Sequence, residues 1–313
     1  VIGGLLYLLS GFLGLQLNFS YCLLFGALIS PTDPIAVLAI IKQLGAPEDI
    51  AIQVEGESLF NDGIGLVIFV AISQVAFSTE PLTVAGVSGL FIREALGGLL
   101  YGGILAAMLH GMLHFSEERT QYLLMTLLVP SAGYVGADML GVSGPLAMVA
   151  SGIIIGNVSV PRLLKESEWE HLDSFWLLIE SFFNSLLFLL LGLLLLLIDF
   201  SADLWWFMLL SVPIVLFGRA VSVYVPYLGF RRIRHYNSYA ERILVWGGLR
   251  GGLALAMAMS LPTGVIVATG SSIDLRELLM VMTYAVVVFS ILVQGTTIPS
   301  LIDKSNAEDQ AKG

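Results

Sequence analysis

Ten hydrophobic segments follow one another along the 313 residues, at 1–17, 19–42, 51–77, 85–113, 120–139, 142–157, 175–198, 204–228, 240–262 and 276–303. Crossing the hydrocarbon of a bilayer takes about 20 apolar residues in a helix. Lipid offers the backbone no hydrogen-bonding partners, so a spanning segment must be a helix or part of a closed barrel. Long segments without strict alternation of polarity are helical. Apolar residues make up 57% of the chain and charged ones 12%, against about a quarter charged in soluble domains. The expected fold is therefore an all-α, polytopic integral membrane protein. A net charge of -10 with scattered basic residues excludes a basic binding face, and no nucleic-acid partner is expected. The single cysteine, Cys22, cannot form an intrachain disulfide.

Lysine and arginine orient these segments. With spans alternating in direction, one side collects Lys42, Arg119, Arg162, Lys165, Arg231, Arg232, Arg234, Arg242, Lys304 and Lys312, and the other only Arg93 and Arg276. Basic residues accumulate in cytoplasmic connections. Both ends of the chain, the tail 304–313 and the polar linker 158–174 are accordingly expected in the cytoplasm. The linker separates a first helical block, 1–157, from a second, 175–303, either as a surface amphipathic helix or as a lever joining two moving bundles. Val1 already stands in an apolar stretch without an initiator Met, so further helices are expected ahead of it.

Segment 51–77 is the exception to the apolar pattern, with Glu55, Glu57, Ser58, Asn61 and Asp62 in its front half. A charge at the centre of a spanning helix costs roughly 2.5–3.5 kcal/mol, so such groups face the bundle interior or a wet cavity and mark function. Glu57 and Asn61 are four residues apart, as are Ser58 and Asp62, which puts the polar groups on adjoining stripes of one helix. Segment 19–42 is broken by Ser30-Pro31-Thr32-Asp33-Pro34. Its prolines remove backbone donors and turn the residues before them away from helical dihedrals. Asp33 can cap the half-helix that follows, join an ion site, or do both.

The end of the chain repeats this layout. Segment 240–262 is interrupted by Gly247-Gly248-Leu249-Arg250-Gly251-Gly252, and 276–303 carries Gln294-Gly295-Thr296-Thr297. The first three spans and the triplet 204–303 thus each have a broken middle and a polar third member, and they run in opposite senses. Paired interruptions of this kind point to a transporter site at the membrane midplane. Arg250 lies in a glycine-rich break, where it can offset exposed carbonyl dipoles.

Four separated motifs, Thr32-Asp33-Pro34, Glu57-Ser58-Leu59-Phe60-Asn61-Asp62, Gly247-Gly248-Leu249-Arg250-Gly251 and Val293-Gln294-Gly295, resemble in order those of the NhaP-type sodium/proton exchanger family. The resemblance covers nearly the whole chain. It implies a fold of thirteen transmembrane helices, of which this chain would hold the fourth to the thirteenth. It also implies a homodimer whose core domain, with two crossed unwound helices, moves against a dimerisation domain. For the site it implies Asp62 as the carboxylate exchanging Na+ and H+, with Asp33, Thr32 and Ser58 around the ion. Asn61 resembles the family's structural amide beside the ion, and Glu57 resembles the residue paired with an arginine, here Arg219. Arg250 is the alternative partner for Glu57.

The expected function is secondary antiport, not enzymatic: Na+, or Li+ or K+, is exchanged for H+ by alternating access across a bacterial or archaeal plasma membrane. Asn61 stands where a second carboxylate would make a two-acid site, so the exchange is expected to be electroneutral. No cofactor is expected, Na+ and H+ being substrates, and the partners are cations, protons, lipid and a second copy of the chain. Two alternatives are a cation channel, which repeated pore motifs or rings of like residues would mark, and an intramembrane aspartyl protease using Asp33 and Asp62 as a dyad. None of His110, His114, His171 and His235 has two further ligands at metal spacing. Gly97, Gly98, Gly102 and Gly103 are expected to permit close helix contact.

Overall fold

The computed structural model describes residues 1–45, 48–77, 84–116, 118–194, 204–230, 239–267 and 273–312. Its helices are α1 (Ile2–Phe12), α2 (Phe19–Leu28), α3 (Ile35–Leu44), α4 (Glu48–Phe77), α5 (Val84–His114), α6 (Arg119–Leu128), α7 (Tyr134–Leu140), α8 (Gly144–Ile154), α9 (Val160–Leu163), α10 (Glu166–Leu194), α11 (Trp205–Phe230), α12 (Ala240–Trp246), α13 (Gly252–Met259), α14 (Leu275–Phe289) and α15 (Gly295–Lys312). Single π-helical turns at Val129–Gly133, Ile155–Ser159 and Ser290–Gln294 join α6 to α7, α8 to α9 and α14 to α15.

Among the described residues, seven continuous helical stretches are long and apolar enough to span a membrane. The other three of the ten expected segments are the short α1 and two helices that split in the middle, α2 with α3 and α12 with α13. Side chains fix several ends. Asn18 accepts the Ser20 N–H at 3.1 Å to start α2, and Asp274 accepts the N–H groups of Arg276 and Glu277 at 2.8 and 3.3 Å to start α14. The polar linker 158–174 is largely helical, being taken up by the π turn, α9 and the first turns of α10. Glu166 and Glu168 suit a helix N-terminus, and Glu168 reaches back to the Lys165 N–H at 2.8 Å.

Packing divides the chain into two compact units, 1–65 with 194–313, and 66–193. The first unit gathers the two triplets with broken middle members, with α4 belonging to it up to Gly65. There α1 lies on α2, α11 and α13 pack on α14, and α15 packs on α3 and α12. Val37, Ile41, Ile50, Val54, Ile243, Leu244, Ile298 and Ile302 form a buried core among α3, α4, α12 and α15. Lipid is as apolar as leucine, so close packing and polar contacts, rather than water exclusion, decide which helices associate. Two helices with freed backbone groups at their breaks find the best partners in each other.

In the second unit, α5 and α8 pack closely through small residues. A Cβ on Gly98 would lie 2.7 Å from the Ser143 carbonyl oxygen, and one on Gly102 would strike the Ala147 carbonyl. A Cβ on Gly97 would strike the Val142 side chain just ahead of α8, but Gly103 has open space where its Cβ would be and makes no such contact. The unit is further joined by Arg93 donating to the Leu140 carbonyl at 3.1 Å, the Trp176 indole donating to Thr126 Oγ1 at 3.3 Å, and a His110–Ser159 hydrogen bond of 3.0 Å.

Candidate ion site

The two broken helices meet at their breaks. Asp33 donates its N–H to the Leu249 carbonyl at 2.8 Å, and Arg250 donates to the carbonyls of Ser30 and Pro31. Arg250 is 4% exposed. In lipid, a backbone group released from a helix must find a partner inside the protein, and here each break supplies what the other lacks. Arg250 therefore serves the carbonyls of the opposite break rather than those of its own. Gly251 has to be small at this crossing, because a Cβ there would lie 2.8 Å from Asp33 Cβ and closer still to its carboxylate. Asp33 stands one residue ahead of Pro34, the N-cap of α3, and its Oδ1 accepts the N–H of Ile35, the first helical residue, at 3.1 Å.

Helix α4 closes over the first break with one stripe of its surface. Ser58 Oγ donates to the Thr32 carbonyl, while Asp62 Oδ1 accepts the Thr32 N–H at 3.2 Å. Thr32 and Ser58 are both buried. Two side chains one turn apart thus hold both polar groups of a single unwound residue. A turn further on, Gly65 lets Pro31 approach, since a Cβ would stand 3.0 Å from the proline ring. Thr32, Asp33, Ser58 and Asp62 are accordingly brought to one place, with two carboxylates among them. An ionised carboxylate has about four acceptor positions, so the backbone bonds made by Asp62 and Asp33 leave capacity for a cation.

The adjoining stripe of α4 carries Glu57 and Asn61. Both carboxylate oxygens of Glu57 are met by the guanidinium of Arg219 from α11, one through Nη1 and the other through Nη2 at 2.7 Å. Arg219 also donates from Nε and Nη2 to the Leu244 carbonyl of α12, at 3.1 and 2.6 Å. The Asn61 amide donates to Glu57 Oε1 at 3.3 Å. Arg219 rather than Arg250 is the partner of Glu57, and it ties three helices together.

Glu55 is exposed on α4. His235 and the basic loop Arg231, Arg232 and Arg234 lie outside the described residues. No group of three His, Cys, Asp or Glu able to hold a metal occurs among the described residues. Sequence reasoning missed the backbone acceptors at Ser30, Pro31 and Leu249, which no residue type announces. It also left Gln294 without a role, although a glutamine in an apolar helix is the kind of signal that could have found it. The Gln294 amide donates to the Trp246 carbonyl at 2.9 Å.

Residues 1–304 match the family described as sodium/hydrogen exchanger, transmembrane. The chain is 42% identical over 309 residues to the Na(+)/H(+) antiporter NhaP of Pseudomonas aeruginosa, an alignment covering 96% of this chain and 70% of that protein. It is 34% identical over 294 residues to the Na(+)/H(+) antiporter NhaH of Halobacillus aidingensis, covering 93% of this chain and 70% of that one. Its fold is similar to that of the solved sodium proton antiporter MjNhaP1 of Methanocaldococcus jannaschii, with a TM-score of 0.72 at 19% identity, covering 97% of this chain and 74% of that chain.

Proposed function

The chain belongs to the sodium/hydrogen exchanger family, and on that premise we propose that it is a secondary antiporter in which Na+ and H+ compete for Asp62. The observation that carries this is the clasp of Thr32 by Ser58 and Asp62 at a helix break that also holds Asp33. Carboxylate, hydroxyl and unwound backbone oxygens are the hard donors a small cation requires, and a midplane break is where transporters place them. Asp62 and Asp33 bind the ion with Ser58 and Thr32. Glu57, Asn61, Arg219 and Arg250 hold the surrounding helices in place. Neither a channel nor an aspartyl protease is favoured for a member of a transporter family.

When Asp62 releases its proton it accepts Na+, and alternating access carries one or the other across. With Asp62 as the one group that exchanges its proton for the cation, each loaded form of the site has the same charge and the cycle is electroneutral. The protein works as a homodimer in a bacterial or archaeal plasma membrane, with its C-terminus in the cytoplasm, where the excess of Lys and Arg puts it. The test is Asp62→Asn in proteoliposomes with an imposed Na+ gradient and an internal pH dye. The inserted protein is expected to move no protons, and retention of more than a few per cent of the wild-type flux would remove Asp62 from the carrier role.

A further inference from the structure

We propose that Gln294 is a positioning residue for ion exchange: it anchors the end of α12 and so sets the second break against the ion site. The inference rests on the antiporter function above and adds a residue from outside the Asp62 cluster. Gln294 is 2% exposed and lies in the π turn between α14 and α15, where one extra residue per turn redirects the side chains. Its Nε2 donates to the Trp246 carbonyl at 2.9 Å, while Ser290 Oγ donates to its Oε1 at 2.8 Å and so fixes which end of the amide faces Trp246.

Trp246 is the last residue of α12, and its carbonyl is one of the four that a helix C-terminus leaves without intrahelical partners. Nearby carbonyls are met in other ways. Gly247 N–H reaches the Ile243 carbonyl at 2.6 Å, and Arg219 takes that of Leu244. The Trp246 indole also donates to Thr297 Oγ1 at 2.7 Å, so one helix grips this residue by backbone and by side chain. Three to five residues further on, past Gly247 and Gly248, come Leu249, which accepts the Asp33 N–H, Arg250, which holds Ser30 and Pro31, and Gly251, which abuts the Asp33 carboxylate. Movement of the Trp246 anchor therefore passes to Asp33.

The two triplets use the same device with opposite polarity. In the first, the third helix reaches its break through Asp62, which accepts the Thr32 N–H. In the second, the third helix reaches its break through Gln294, which donates to the Trp246 carbonyl. One contact belongs to a group that exchanges its proton and cation, and the other to an amide whose charge does not change. Gln294 keeps one break fixed while the other changes its ligand.

The variants are Gln294→Leu, which keeps the bulk without the donor, and Ser290→Ala, which frees the amide to rotate. A bound ligand stabilises the native state by an amount that grows with the logarithm of its concentration relative to its dissociation constant, so the rise in melting temperature with Na+ in detergent reports binding independently of turnover. Gln294→Leu is expected to raise both the Na+ concentration needed for a given rise in melting temperature and the apparent KM for exchange by about tenfold, the scale of one hydrogen bond, with the maximal rate kept within about threefold. Ser290→Ala should shift both in the same direction and by less. A lower melting temperature with unchanged Na+ dependence would make Gln294 a packing residue only and overturn the proposal. If Gln294→Leu fails to insert, wild-type Na+ dependence in Ser290→Ala overturns it equally. A wild-type protein that neither responds to Na+ nor exchanges it would instead refute the antiporter function, and this role with it.

Discussion

Replacing Arg219 by alanine leaves Glu57 in place with its charge and takes away the guanidinium that meets both of its oxygens. The loss is larger than one ion pair, because the Leu244 carbonyl loses two donors at the same time. Breaking a buried pair from one side typically costs about 3–5 kcal/mol. Asn61 still donates to Glu57 and the Glu57 side chain is 29% exposed, which places the expected loss near the lower end, about 3 kcal/mol. For a chain of 313 residues, an unfolding entropy of about 2 cal/mol/K per residue makes each kcal/mol worth roughly 1.5 °C. Arg219→Ala should therefore lower the melting midpoint by about 5 °C in mild detergent, followed by tryptophan fluorescence or by loss of the monodisperse peak after heating. Glu57→Gln combined with Arg219→Met removes both charges and should recover part of that loss, since no buried charge is stranded. Arg219→Lys should fall between, because a point charge cannot meet two carboxylate oxygens and a carbonyl in one plane. A midpoint within 1 °C of wild type for Arg219→Ala, or a double variant as unstable as the single losses combined, would refute the pairing as a stabilising element.

Two further outcomes follow from the crossing of the breaks and from the composition of the site. Gly251→Ala puts a methyl against the Asp33 carboxylate and should raise the apparent KM for Na+ on the order of tenfold or more, while Gly56→Ala on α4, with open space around it, should be silent; equal behaviour of the two in a transport assay would mean that Asp33 does not need that clearance. Membrane potential acts with about 2.3 kcal/mol per elementary charge per 100 mV, so with a potassium gradient and valinomycin setting the potential, the equilibrium pH gradient driven by Na+ should not change; a systematic shift would show that Asp33 or another acid also carries protons.

Local costs were legible in the residues themselves. Lipid penalises every unpaired backbone group and every charge, so long apolar runs had to be helices, and Pro31, Pro34 and the glycines from 247 to 252 had to interrupt them. The same penalty made Glu57, Ser58, Asn61 and Asp62 stand out, and the spacing of four placed them on adjoining stripes before any neighbour was known. Helical content within the linker 158–174 was one of two open possibilities, because an amphipathic polar stretch suits a surface helix as well as a connecting lever. Contacts across the fold were decided only by tertiary structure. Arg219 lies 162 residues from Glu57, and its choice over Arg250 depends on how α11 and α12 are rotated about their axes, which no local pattern encodes. Arg250 found carbonyls of the opposite break, Leu249 received the Asp33 amide, and Gln294 took the Trp246 carbonyl, each through a backbone acceptor that every residue possesses alike. A side chain's cost in lipid is a property of the residue, whereas the partner that relieves it depends on which freed backbone groups the packed helices bring within reach.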